Sequence, residues 1–84
     1  MTYYLYILKS RTNSKYYIGT TANLDDRLRR HNSGRSKATK AGAPWDVVYT
    51  EKYDNRSAAV QREMQIKSWK NKNRLDDLAR TSRL

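Results

Sequence analysis

Tyrosine, arginine, glutamate and histidine are the residues through which this 84-residue chain could act on a phosphate ester. Seven residues are Tyr, and Tyr6 and Tyr17 stand with ten residues between them in two short runs, Tyr3-Tyr4-Leu5-Tyr6-Ile7-Leu8 and Tyr16-Tyr17-Ile18-Gly19. Arg27 follows, His31 comes one helical turn later as the only histidine, and Glu63 is one of two glutamates. Hydrolysis of a phosphodiester needs an activated water, neutralised charge on the phosphoryl oxygens and help for the leaving oxygen. Tyr, Arg and Glu meet those needs in principle. A lone carboxylate suits Mg²⁺, which keeps most of its waters and takes few protein ligands beside substrate phosphate. An arginine fork binds phosphate in two-pronged geometry, where lysine offers a point charge. A phenol titrates near about 10 and becomes a useful base only where positive charge lowers that value.

Each of these residues also has a plain structural reading. Phenol rings are good strand residues with an apolar body and a wet tip. Arg27 suits a solvated helix face and His31 suits a helix end. Lys67 stands four residues after Glu63, in the favourable order for a helical ion pair.

The elements that must position them follow from pattern. The two tyrosine-rich runs read as a β-hairpin, because aromatic and β-branched residues suit a half-buried pleat. Arg11-Thr12-Asn13-Ser14-Lys15 between them is turn-forming, with Asn13 and Ser14 able to bond their own backbone. Cap-forming residues at Thr20-Thr21-Ala22-Asn23 precede a helix from Leu24 to Asn32 closed by Gly34. Asp25 and Asp26 lie in its first turn and Arg29, Arg30 and His31 near its end, as the helix dipole favours. On a helical wheel Leu24, Arg27, Leu28 and His31 fall within about a quarter-turn, so Arg27 and His31 project together.

Gly34 to Pro44 reads as a loop of small residues with positive charges at Arg35, Lys37 and Lys40. It is expected to contribute nothing to a core, and serves either as a solvated connector or as a strap along a phosphate backbone. Trp45 to Tyr53 reads as a third strand. Asp54 or Asn55 then caps a helix from about Arg56 to Trp69, with Ala59, Val60, Met64, Ile66 and Trp69 as its apolar surface. Glu63 falls inside that apolar stripe, an odd place for an ordinary surface ion pair. A short basic helix runs from Asn71 towards Leu84, with Lys70, Lys72 and Arg74 near its start and Arg80-Thr81-Ser82-Arg83-Leu84 expected to fray.

Global properties narrow the partner. Residues 1–84 are expected to form one domain with a single small core. Net charge is +10, from 18 Lys and Arg against 8 Asp and Glu spread along the chain, which points to a polyanion. Nucleic acid leads. No apolar stretch approaches membrane-spanning length, and no basic amphipathic anchor stands out. Cysteine is absent, which removes disulfides and thiolate chemistry, and no secretion signal opens the chain, so a soluble cytoplasmic protein is expected. A single histidine excludes a His-rich metal site. No Ser-His-Asp or Cys-His arrangement and no Gly-rich phosphate loop is present.

The segments Tyr4-Leu5-Tyr6 and Tyr17-Ile18-Gly19 resemble the paired signature of the GIY-YIG nuclease family. Tyr4 stands where the family name has Gly and Leu5 where it has Ile, a variation common in small members. Arg27 at its distance from Gly19, His31 one turn on, and Glu63 followed by Ile66-Lys67 extend the likeness over nearly the whole chain, closest to the stand-alone, single-domain branch.

The resemblance implies an α/β (α+β) fold with a small three-stranded mixed or antiparallel sheet flanked by helices. It implies a metal-dependent DNA endonuclease whose site is lined by Tyr6, Tyr17, Arg27, His31 and Glu63, with Glu63 holding Mg²⁺ or Mn²⁺. Tyr17 is favoured as the base, Tyr6 as the residue positioning water or phosphate, and His31 as a partner in proton handling. Arg30, Arg35, Lys37, Lys40, Lys67, Lys70 and Lys72 are the expected DNA contacts, and no obligate protein partner is evident. The alternatives are a non-catalytic nucleic-acid-binding module on the same fold and a basic protein that docks on an acidic one, the latter leaving the Tyr, Arg and Glu spacing unexplained.

Overall fold

The computed structural model describes residues 1–81. Its elements run β1 (Tyr3–Ser10), β2 (Tyr16–Thr21), α1 (Leu24–Asn32), a 3₁₀ turn (Lys40–Gly42), β3 (Trp45–Tyr53), α2 (Arg56–Ser68) and α3 (Lys72–Thr81). The strands form one sheet in the order β2-β1-β3, and both pairings are antiparallel. Both hairpin strands run two residues beyond the tyrosine-rich runs, because the ladder continues to Tyr4 opposite Thr21 at one end and β1 pairs through Ser10 with Trp45 at the other.

Local chemistry explains the boundaries. In the hairpin turn Asn13 Oδ1 accepts from the Lys15 amide at 3.0 Å, and Ser14 takes the left-handed conformation (φ 62°). Ser10 Oγ accepts from the Thr12 and Asn13 amides and donates to the Gly42 carbonyl, which ties the hairpin end to the 3₁₀ turn. Asn23 caps α1 by accepting from the Asp26 amide at 3.0 Å, and Asn55 caps α2 by accepting from Ala58 at 2.8 Å. Gly34 closes α1 with φ 79°, a conformation that costs a residue without Cβ little.

Because β1 is central and covered on both faces, its residues Leu5 to Leu8 are all buried, at 0–1 % exposure. Leu5 and Ile7 face one core with Ile18 and Ile66, closed by Tyr49, Tyr53, Trp69, Leu75 and Leu78. Tyr6 and Leu8 face the other with Trp45, Tyr17, Leu24 and Leu28. An ionic knot ties β3 to α2: Arg62 Nε lies 3.1 Å from Glu51 Oε1, and the same carboxylate accepts from the Tyr49 and Tyr53 hydroxyls. Burial raises Tyr49 and Tyr53 and the carboxylate's hydrogen bonds add to the shift, carrying Tyr53 to about 12.

Three sequence expectations are corrected. The Gly34–Pro44 segment does enter the core: Thr39 is 1 % exposed, Gly42 is buried, and the Thr39 carbonyl accepts from Trp45 Nε1 at 2.8 Å. Periodicity cannot reveal such a segment, whose burial depends on a turn wrapped round one indole. Met64 is 66 % exposed rather than part of the apolar surface of α2. Arg80 and Thr81 belong to α3 instead of a frayed end, while Ser82, Arg83 and Leu84 lie outside the described residues. Among the described residues no helix is long and apolar enough to cross a membrane.

Candidate active site

Tyr6, Tyr17, Arg27 and Glu63 come from β1, β2, α1 and α2 and line one cavity of about 480 Å³. The strand register begins the construction. Tyr6 lies directly opposite Gly19, and its phenol ring crosses the space a side chain would fill there. A Cβ at Gly19 would stand 2.6 Å from the Tyr6 hydroxyl oxygen and 2.8 Å from Cζ, so glycine is a packing requirement of the tyrosine's pose.

The Tyr6 phenol is fixed from behind. Its hydroxyl shares a hydrogen bond with His31 Nε2 at 3.1 Å, and His31 Nδ1 shares another with Thr39 Oγ1 at 2.7 Å. His31 and Thr39 are 2 % and 1 % exposed. A neutral imidazole donates at one nitrogen and accepts at the other, so Tyr6 and Thr39 take opposite roles and the phenol is pinned in either tautomer. The His31 ring also lies 4.7 Å, centroid to centroid, from that of Tyr17. His31 therefore braces both tyrosines and does not line the cavity that holds Glu63. It lines a smaller cleft with Tyr17, Arg27, Arg30 and Arg35.

Electrostatics set the protonation of Tyr6 and of His31 behind it. Burial pushes Tyr6 up to about 12, with the neighbouring Tyr17 adding to the rise and the Arg27 charge opposing it. Tyr6 is thus a protonated hydroxyl at neutral pH. Burial also lowers His31, and the Arg27 charge lowers it further, so the ring is neutral in the fold.

That lowering makes a stability prediction. Between the ordinary value of 6.5 and the lower folded value, the unfolded chain takes a proton at His31 that the folded chain refuses. Stability is therefore full above about pH 6.5 and falls as the medium is acidified through that window. Asp46, lowered by its hydrogen bonds from Arg11, and Glu51, lowered against the pull of burial by Tyr49, Tyr53 and Arg62, act further into acid. Urea unfolding between pH 7 and pH 5 measures the His31 part. His31→Gln is expected to flatten that dependence, and an unchanged slope in the variant contradicts the assignment.

Glu63 faces the cavity with its side chain 20 % exposed, and Lys67 Nζ lies 2.6 Å from its Oε2. The sequence reading of Glu63 at the edge of the apolar stripe and its reading as half of a Lys67 pair describe the same geometry. Among the described residues no three His, Cys, Asp or Glu side chains converge as a metal cluster. Glu63 is the carboxylate that lines the cavity, a donor set matching an ion that keeps its waters and completes its shell with phosphate oxygens.

Of the expected DNA contacts, Arg30 pairs loosely with Asp26 at 3.7 Å and lies with Arg35 in the cleft beside Tyr17. Lys37 and Lys40 are exposed and line neither this cleft nor the main cavity. Lys67, Lys70 and Lys72 line a separate groove at the α2–α3 junction. Sequence reasoning missed Arg56, the first residue of α2, which lines the cavity opposite Arg27's helix. A signal was present: a cation at the positive end of a helix works against the dipole and suggests another employment. Thr39 was missed as well, and a lone threonine in a loop carries no such signal.

The chain is similar to known proteins in sequence and in fold. The model of the GIY-YIG catalytic domain matches residues 2–76. A UPF0213 protein of Oceanobacillus iheyensis is 42% identical over 66 residues, covering 77% of this chain and 76% of its own. A UPF0213 protein of Staphylococcus haemolyticus is 38% identical over 74 residues, covering 87% and 89%. The solution NMR structure of a UPF0213 protein from Bacillus halodurans superposes with TM-score 0.60 at 25% identity, covering 98% of this chain and 87% of that one.

Proposed function

Because the chain belongs to the GIY-YIG family, among its UPF0213 members, we propose that it is a metal-dependent endonuclease that hydrolyses phosphodiester bonds in DNA. The observation that carries this reading is the convergence of Tyr6, Tyr17, Arg27 and Glu63, drawn from four elements, on one polar cavity.

In this mechanism the scissile phosphate enters between α1 and α2. Arg27 and Arg56 bind its oxygens and offset the charge that builds as the water attacks. Tyr6, protonated and held by His31, orients the phosphate or the attacking water through its hydroxyl. Tyr17 takes the proton of that water, whose oxygen bonds to phosphorus as the scissile P–O bond breaks and the leaving oxygen departs, gaining its proton from solvent. Glu63 holds Mg²⁺ or Mn²⁺, which when bound supplies Lewis-acid stabilisation and the positive charge that a phenolic base needs. His31 and Thr39 act as positioning residues through Tyr6. The net charge of +10 supplies the long-range attraction for DNA.

The test is cleavage of labelled single-stranded, duplex, flap and branched DNA with Mg²⁺ or Mn²⁺ against EDTA, run beside Arg27→Ala. Metal-dependent products are expected, reduced about 100-fold to 1000-fold in the variant. Binding without cleavage under every metal would make the chain a nucleic-acid recognition module.

A further inference from the structure

A second groove, of about 500 Å³, lies between the start of β2 and the α2–α3 junction and shares Tyr17 as a wall with the active-site cavity. Its floor is formed by Tyr16, Ile18, Ile66 and Leu75. Its rim carries Lys15, Lys67, Lys70 and Lys72, and among the described residues no acidic one lines it. The hairpin turn supplies one of these lysines, and the end of α2 and the start of α3 supply the others, so the fold gathers cations far apart in the chain.

This gathering works against folding. Among the described residues Lys15, Lys70 and Lys72 have no carboxylate in ion-pair contact, and only Lys67 is paired, to Glu63. Lys72 opens α3, whose first turn holds no acidic residue, so its charge also opposes the helix dipole. Lys70 adopts the left-handed conformation (φ 50°) that favours glycine. A bound polyanion offsets the charge terms together.

Phosphate alone explains the rim but makes no use of the apolar surface that the core residues Ile18, Ile66 and Leu75 present, with Tyr16, to the groove. A nucleotide explains both, because its base has apolar faces and its backbone carries the charge. The base must be unpaired to reach the floor. Resting on the nuclease reading above, we infer that this groove takes an unpaired nucleotide of the substrate strand next to the scissile phosphate, its base on the Tyr16–Ile18–Ile66–Leu75 floor and its phosphates on the lysine rim. Tyr17 then separates the phosphate being cut from the base being held, and Lys67 joins the two sites through Glu63.

The experiment compares two strands of equal phosphate count, oligo-dT and the same length of abasic deoxyribose phosphate, binding the whole protein in EDTA. Fluorescence anisotropy gives affinity and amide NMR shifts give location. Oligo-dT is expected to bind about 10-fold or more tighter, since each stacked base contributes on that order. Its shifts are expected at Tyr16, Ile18 and Leu75, and the abasic strand is expected to shift only the lysine rim. Equal affinities, or base-dependent shifts confined elsewhere, overturn the groove. Metal-dependent cleavage of the same oligo-dT and of a duplex, run in parallel, separates the two readings. Cleavage with equal affinities defeats the groove and spares the nuclease. Base-dependent shifts in the groove without cleavage defeat the nuclease and leave the groove as a binding site.

Discussion

Glu63→Gln is expected to abolish metal-dependent cleavage, by about 100-fold or more, while DNA binding in EDTA stays near the parent's or rises. The substitution keeps the shape of the side chain and removes one negative charge from a cavity that also contains Arg27 and Arg56. Repulsion of incoming phosphate falls, so affinity has no reason to drop. Stability changes little, because the lost Lys67 pair is a half-exposed helical pair worth a few tenths of a kcal/mol. Lys67→Ala is the decisive control. If Glu63 served only that ion pair, the two variants would behave alike. The metal role instead predicts that Lys67→Ala weakens DNA binding and retains turnover at saturating DNA. Unchanged cleavage by Glu63→Gln would remove the metal assignment.

Gly19→Ala is expected to cost about 1–3 kcal/mol of stability and most of the activity, through a single added methyl group. That methyl would lie 2.6 Å from the Tyr6 hydroxyl oxygen, 2.8 Å from Cζ and 3.2 Å from Cε1, so the ring itself must move. A surface tyrosine would swing aside at little cost. Tyr6 is 1 % exposed and bound to a buried histidine that is bound in turn to a buried threonine, so displacement breaks the Tyr6–His31 contact or shifts the strand. Tyr6→Phe in the same background removes the nearest oxygen but leaves Cζ close, so it restores part of the stability and none of the hydroxyl's function. Urea unfolding and cleavage rates of the two single variants and the double one measure this. A Gly19→Ala protein with parental stability and rate would show that the phenol's pose is not critical.

The sequence revealed most where backbone chemistry is local. The hairpin, the Asn23 and Asn55 caps, the Gly34 closure and the third strand all depend on residues within a few positions of one another. Glu63 was legible because a carboxylate among Ala59, Val60 and Ile66 is out of place on an ordinary helix. The inward face of α2 as a whole was not, because its apolar residues spread round the helix. Arg62 settles the matter: it faces the sheet to meet Glu51 and lies 5.5 Å from the Trp69 ring. Met64, about 160° round the helix from Ile66, is then left to solvent. Arg27 and Glu63 could be nominated from spacing and resemblance, but their meeting, and the convergence of Lys15 with Lys67, Lys70 and Lys72, depends on how β1 and α2 pack. His31 was legible as a residue of α1 beside Arg27, but nothing in the pattern announces that Thr39 waits behind it.

The position of β1 in the middle of the sheet sets a schedule for the newborn chain. This strand is made before both of its partners, and one of its two edges is completed only when Trp45 to Tyr53 arrive, more than thirty residues later. Until then Leu5, Ile7 and Leu8 have an open flank, and such pairings between distant segments form slowly. Glu63 follows later still. A ribosome-bound fragment therefore carries both tyrosines and Arg27 well before the carboxylate that shares their cavity, and the cavity lining is complete only once the sheet has closed.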